Sequence, residues 1–293
     1  MQLLDRGYFE RARSSIMDPM VDAAKVGPLY YRAYRVMKLS LDDYAGPSDA
    51  HRAAVREFIA EARTASEEAP DANREDAVFA TVFGAYLAAR AGDTSLAQST
   101  LAHTASQTRN SGRTNLEHLQ TIAEAEVAWR GGRAQEAIAR LEPGLDGTEL
   151  YLTHVALADA YSAAGRNEDA VREAQWLAAH RGRAYLETNS LQMLQARNVA
   201  ESDIAVLRLA ELEHALEHDA EAQKQLAAFD AIWPRAAQPP PIAARAERLT
   251  QGFGGSRNTS PTSIPLNAQP DKNPRRNSRL SRSDSFEANS SGR

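Results

Sequence analysis

The stretch YLTHVALADAYSAAGRNEDAVREAQWLAAHRG, residues 151–182, contains two helical patterns of similar length on either side of Gly165. Apolar residues in each half recur at spacings of three and four, which is the period of an α-helix with one buried face. Glycine is also the residue that most often follows the end of a helix. The stretch therefore predicts two antiparallel helices joined by a short turn at Gly165.

The facing sides of these two helices have a regular order of small and large residues. Ala158 and Ala170 are small enough to let the two helix backbones approach closely, and larger side chains fill the space on either side. The residues that we expect to pack this hairpin are Leu157, Ala158, Tyr161, Gly165, Ala170, Ala174 and Leu177.

This order of residues resembles the tetratricopeptide repeat (TPR), a helical hairpin of about 34 residues. A turn glycine followed five residues later by alanine recurs along the middle of the chain, as Gly92/Ala97, Gly132/Ala137 and Gly165/Ala170. The intervals between them are unequal, and Gly84, Glu124 and His154 depart from the residue types of the repeat. The resemblance implies an all-α fold in which antiparallel hairpins stack as a TPR-like α-solenoid.

Helical periodicity extends to about Pro234, and no segment alternates with the period of a strand. We expect a TPR-like helical repeat domain over residues 1–233 and a proline-rich linker with a short helix over residues 234–250. The Ser/Arg-rich tail, residues 251–293, is expected to be disordered because it has little apolar surface to bury. The predicted helices are 28–40, 49–68, 74–91, 94–109, 115–131, 134–142, 149–164, 167–180, 184–197, 199–217 and 219–232.

Composition excludes several classes of site and partner. The 293 residues include no cysteine, which excludes disulfides, thiolate metal sites and cysteine nucleophiles. No apolar run reaches the roughly 18 residues of a transmembrane helix, and the start of the chain lacks a secretory signal, so we expect a cytoplasmic location. The net charge of −5 combines +4 in the tail with −9 in the body. An acidic body argues against nucleic acid as a partner.

Stacked helical repeats curve into an array with a concave groove, which is their usual binding surface. In the hairpin at residues 151–182 we expect Thr153, His154, Asp159 and Ser162 to face this groove. The pattern favours a non-catalytic interaction or regulatory module that binds a protein or peptide, without a cofactor, nucleic acid or membrane. Residues 156–185 are also similar to repeat regions of bacterial signalling proteins such as cyclases of peptide-modification systems, which implies a scaffolding role.

An alternative function follows from HALEH at residues 214–218, which matches the H-x-x-E-H pattern of inverted zinc peptidases. Two histidines four residues apart share one face of a helix, so His214 and His218 would bind zinc. Glu217 would then act as the general base of a hydrolase. The competing interpretation, which we favour, is the solvated end of a repeat helix with no metal and no catalytic residue.

The segment LLDRGYFERAR at residues 3–13 fits the second half of a repeat. Gly7 and Ala12 have the same spacing as Gly165 and Ala170, so this part of the chain lacks most of a first helix. The end of a repeat array exposes apolar surface unless a cap covers it. We expect this end to fray, to be covered by a partner, or to mark a fragment of a larger signalling protein.

Overall fold

The computed structural model describes residues 2–46, 48–187 and 189–255. Within these ranges the chain forms fifteen α-helices and no β-strand, as the all-α prediction requires. The predicted disorder of residues 256–293 lies outside the described residues. The helices are α1 (Gln2–Asp5), α2 (Phe9–Ser15), α3 (Met17–Val26), α4 (Pro28–Asp42), α5 (Asp49–Glu68), α6 (Asp71–Arg90), α7 (Thr94–Ser111), α8 (Thr114–Arg130), α9 (Ala134–Leu141), α10 (Tyr151–Ala163), α11 (Asn167–Ala179), α12 (Arg181–Leu186), α13 (Gln195–Ala215), α14 (Asp219–Ile232) and α15 (Pro240–Gly255).

Local side-chain chemistry sets several helix boundaries. The hydroxyl of Ser48 accepts a hydrogen bond from the backbone N–H of His51 (3.1 Å), which caps the start of α5. Asp93 accepts from the backbone N–H of Leu96 (3.2 Å) and caps α7 in the same way. Gly165 lies between α10 and α11 with φ +73°, a conformation that favours glycine.

The predicted boundaries are wrong between α11 and α14. Two helices were expected to meet at Asn198, but α13 continues through that position. The chain turns earlier, where Leu191 and Gln192 have φ +47° and +55°. Asn198 does not end a helix because its buried side-chain amide donates to Oε2 of Glu187 (2.9 Å).

The helices form pairs along the chain, and the first helix of each pair contacts the first helix of the next. This series of contacts runs through α4, α6, α8, α10 and α13, and α13 also contacts α4. Each of the five packs against one or two of α5, α7, α9, α11 and α14. The structure therefore shows paired helices whose inner series of contacts closes on itself, and the stacking of hairpins as a solenoid stays a prediction.

Helix α13 is enclosed along most of its length. Every residue from Ala196 to Ala210 is buried, although Arg197, Glu201 and Arg208 carry charge. Buried charges are costly unless they are paired and hydrogen-bonded. The position of α13 therefore requires neighbouring helices to supply partners of opposite charge.

The N-terminal hairpin packs against the segment that follows α14. Leu4 and Phe9 are buried, and the indole N–H of Trp233 donates to the backbone carbonyl of Leu4 (3.0 Å). The rings of Phe9 and Trp233 lie 5.8 Å apart. This end was expected to fray or to need a partner, but the chain itself covers these apolar side chains.

The hairpin of α10 and α11 buries the side chains that were expected to pack it: Leu157, Ala158, Tyr161, Ala170, Ala174 and Leu177. This burial is consistent with a helical hairpin of any family, so membership of the TPR family stays a prediction.

Helix α15 belongs to the same compact unit as the preceding helices, although residues 234–250 were expected to be a proline-rich linker with a short helix. It contacts α13 and the 3-10 turn at Asp43–Ala45, with Ile242, Ala246 and Leu249 buried. The helix continues to Gly255, so residues 251–255, which were expected to belong to the disordered tail, are helical.

Candidate binding site

Two adjoining cavities of about 370 and 390 Å³ form a cleft beside α13 and α15. They share Trp129, Asp159, Arg208 and Arg245, and together we call them the charged cleft. Residues from six segments of the chain line the first cavity: Asp43, Tyr44, Gly46, Arg90, Trp129, Arg130, Asp159, Glu201, Ile204, Arg208, Pro241, Ile242 and Arg245.

The C-terminal ends of several helices meet at this cleft. Asp43 directly follows α4, Arg90 is the last residue of α6, and Arg130 is the last residue of α8. The C-terminal end of a helix carries partial negative charge, which favours a cation there. This geometry explains why arginines end α6 and α8 at the cleft.

Glu126 is fully buried below the cleft and accepts hydrogen bonds from three donors. Arg130 donates through Nε (2.6 Å), Trp129 through Nε1 (3.0 Å), and Arg90 through Nη1 (3.3 Å). The guanidinium of Arg130 also lies 4.5 Å from the centre of the Trp129 ring. These bonds fix the directions of three side chains that line the cavity.

Arg197 is completely buried and joins Asp43 to Glu201. Its Nη1 donates to Asp43 (2.8 Å) and its Nη2 to Glu201 (2.9 Å). The guanidinium lies 4.7 Å from the ring centre of Tyr44, whose hydroxyl donates to Glu201 (2.7 Å). The contacts join the turn after α4 to α13, which are more than 150 residues apart.

The pKa values of the two carboxyls follow from this arrangement. Burial alone would raise the pKa of Glu201, but the charges of Arg197 and Arg208 outweigh burial and lower that pKa to about 2. Burial would likewise raise the pKa of Asp43, but Arg90 and Arg197 hold it well below its usual range. Both carboxyls are therefore ionised at neutral pH.

Arg208 extends from α13 into the region shared by the two cavities. Its Nη2 donates to Asp159 (2.8 Å) and, at 3.5 Å, to Glu201. Its Nη1 is buried and has no hydrogen-bond acceptor among the described residues. One strong donor therefore remains unused beside the cleft.

Helix α15 forms one wall of the cleft. Arg245 makes two hydrogen bonds to the carboxylate of Glu211 on α13, at 2.9 and 2.6 Å. Ile242 and Pro241 line the same wall, close to Ile204 and Gly46 of the first cavity. The wall thus combines apolar contacts with one bidentate ion pair.

The four predicted groove residues lie in different surroundings. Asp159 and Ser162 line the charged cleft, and Ser162 is exposed at its edge. Thr153 and His154 were expected to be exposed, but both are buried and neither lines the cleft. Because α10 is surrounded on most of its faces, the helix period alone did not separate cleft positions from core positions.

His154 instead belongs to a cluster between α10 and α11. Its ring stacks on Trp176 with ring centres 3.4 Å apart, and its Nδ1 lies 2.6 Å from Oε2 of Glu173. Glu149 approaches the other ring nitrogen at 3.5 Å. The cluster fills the space between two helices, so His154 packs the hairpin.

The geometry does not support the zinc interpretation of residues 214–218. Helix α13 ends at Ala215 and Glu217 has φ +63°, so His214 and His218 do not share a helix face. His214 pairs with Asp219 (2.7 Å), and His218 pairs with Glu213 (2.8 Å). Across the described ranges, no group of three or more His, Asp or Glu residues could hold a metal ion.

Sequence reasoning missed the charged network of the cleft. Arg90, Glu201 and Arg208 line the cavity, and Glu126 and Arg197 are their buried hydrogen-bond partners. A usable signal was present in α13, where Arg197 and Glu201 are four residues apart and most residues between positions 196 and 207 are small or apolar. A charged pair at that spacing stabilises an exposed helix, so the pattern was compatible with a solvated face. Only the packing of α4, α10 and α11 against α13 shows that the pair is buried.

Comparison with known proteins gives no match: no protein-family model, no curated protein and no solved structure is similar to this chain. Among the helices of the described residues, none combines the length and apolar character needed to cross a membrane.

Proposed function

We propose that this chain is a non-catalytic interaction or regulatory module that binds a peptide or a partner domain at the charged cleft. One observation carries the proposal: six separate segments contribute polar side chains to a single cavity system that reaches the surface at Ser162. Clefts with a few fixed polar groups are the usual form of a ligand site. The hairpin pattern at residues 151–182 supports a TPR-like repeat region as the scaffold.

The chemistry of the cleft favours binding over catalysis. Glu201 and Asp43 are ionised and paired with arginines, so neither has a proton to give at neutral pH. The arginine side chains that line the cavity are held in place by their own carboxylates. Such fixed donors suit recognition of polar groups on a partner. The absence of cysteine is compatible with a cytoplasmic role in signalling.

The proposal can be tested by photo-crosslinking at the edge of the cleft. Benzoylphenylalanine replaces Ser162 in one protein and Ser95 in a control, because Ser95 is exposed on α7 and does not line the cleft. Both proteins are irradiated in a lysate of the source cells, and adducts are identified by mass spectrometry. We expect a protein or peptide adduct that forms only from position 162. Identical adducts from both positions, or none from either, would contradict the proposal.

A further inference from the structure

Helix α15 occupies its place through a small set of contacts. Three side chains on one face, Ile242, Ala246 and Leu249, are buried, and Arg245 adds the ion pair with Glu211. The opposite face is exposed at Glu247 and Arg248. The helix therefore docks on the molecule in the way that an amphipathic peptide helix docks in a groove.

The surface under α15 is built for close approach of a helix at both of its ends. A Cβ atom at Gly46 would come within 3.1 Å of the Pro241 ring, and a Cβ atom at Gly252 would come within 2.8 Å of Nε2 of His214. Phe253 packs edge-on against the ring of His214, with ring centres 5.2 Å apart. The receiving surface thus extends from the turn after α4 to the end of α13.

The connection that precedes α15 would allow the helix to detach from the rest of the protein and rebind as one unit. Gln238 is anchored, because its amide donates to the backbone carbonyl of Trp233 (2.7 Å) and to Asp230 (3.1 Å). Residues 239–241 are three consecutive prolines, which are stiff and donate no backbone hydrogen bonds. The segment before α15 is therefore held to the end of α14 by its own hydrogen bonds, and one further contact, from Nη2 of Arg235 to Oγ1 of Thr250 (3.4 Å), joins it to the helix.

We propose that α15 is a displaceable helix that occupies a helix-binding surface beside the charged cleft. The partner that fits this surface is an amphipathic helix with prolines in its first turn, an apolar stripe, and an arginine that pairs with Glu211. Its docking releases α15 and opens the wall of the cleft formed by Pro241, Ile242 and Arg245. This inference rests on the proposed function, since it names the class of partner that the cleft region binds.

The first test uses a fluorescein-labelled synthetic peptide with the sequence of residues 239–255. In the full-length protein, Arg245→Glu places two negative charges together at Glu211 and weakens the internal helix, while the peptide keeps its arginine. In the wild-type protein, α15 is part of the same chain and competes with the peptide for this surface at a high effective concentration. The wild-type protein should therefore bind the peptide weakly. We expect the Arg245→Glu protein to bind it at least tenfold more tightly by fluorescence anisotropy.

Two further proteins serve as controls. Arg248→Glu makes the same charge change on the exposed face of α15 and should bind the peptide as weakly as the wild type. The double variant Glu211→Arg/Arg245→Glu restores an ion pair within the chain and should also bind weakly. Equal binding by the Arg245→Glu and Arg248→Glu proteins would overturn the inference.

Hydrogen exchange of the unmodified protein gives an independent test that requires no folded variant. Amides of α15 should exchange through a local opening, at least tenfold faster than amides of Val199–Ala210 in α13. Exchange of both helices at the same slow rate would show that α15 leaves only when the whole protein unfolds, which would also overturn the inference. Failure of crosslinking at Ser162 would instead overturn the proposed function. The peptide-binding and hydrogen-exchange results would still test whether α15 is displaceable.

Discussion

Glu201 is the residue on which the buried charge network most depends. It accepts hydrogen bonds from Tyr44 and Arg197, and Arg208 approaches it at 3.5 Å. Replacing Glu201 by Gln keeps the shape but leaves buried arginines with less negative charge, and breaking a buried ion pair in this way costs about 3–5 kcal/mol. We expect Glu201→Gln to lower the free energy of unfolding by this amount in urea titrations. Glu117→Gln on the exposed surface of α8 is the matched control and should change stability by less than about 0.5 kcal/mol.

The same residue predicts a pH dependence. In the unfolded chain Glu has a pKa of about 4.3, whereas the folded pKa of Glu201 is about 2. As the pH falls, the unfolded state takes up the proton first, so the stability supplied by Glu201 is complete above about pH 5 and is lost towards pH 2. The difference in unfolding free energy between wild type and Glu201→Gln should therefore shrink between pH 6 and pH 3. A difference that stays constant over this range would refute the assignment.

At the scale of the helix, the sequence predicted the positions of helices, which depend on the local period of apolar residues. It missed the boundary near Asn198, which depends on a contact buried in the folded protein. The caps at Ser48 and Asp93 and the turn at Gly165 are local, so helices α5 to α11 were recognised nearly to their ends. The predicted boundary at Asn198 was wrong, since α13 continues through that position. The residue that decides the matter, Glu187, is eleven positions away and joins Asn198 only in the folded chain.

This tertiary contact gives a prediction for α13. Removing the buried amide with Asn198→Ala leaves an oxygen of Glu187 without its donor, while the backbone N–H of Tyr151 still donates to the other oxygen (2.6 Å). An unsatisfied buried acceptor costs about 1–3 kcal/mol. We expect a stability loss of this size by denaturant unfolding, although alanine is the better helix former. Asn110→Ala, at an exposed position of α7, serves as the comparison and should be close to neutral or slightly stabilising.

At the scale of the whole described unit, the important property is that segments far apart in the sequence contact one another and bring the two ends of the helix series together. The cleft residues come from the turn after α4 and from α6, α8, α10, α13 and α15, and no local pattern relates them. The order of helices was predictable because each pair is built from neighbouring sequence. The closure of the chain on itself could not be predicted from local sequence. It depends on contacts between residues far apart in the chain, such as Tyr44 with Glu201 and Trp233 with Leu4.

The two glycines at matching turns allow this closure to be measured. Gly7 and Gly165 both have φ +73°, so alanine should impose a similar backbone strain of about 1–2 kcal/mol at either position. At Gly165 no atom lies within 4 Å of the added Cβ, whereas at Gly7 it would lie 2.5 Å from the backbone oxygen of Ile232. The clash should add about 1–3 kcal/mol, as overpacking of a well-packed site does. Gly7→Ala should therefore destabilise the protein more than Gly165→Ala in urea titrations followed by tryptophan fluorescence and by circular dichroism. Equal losses would mean that the N-terminal hairpin does not hold the chain closed against α14.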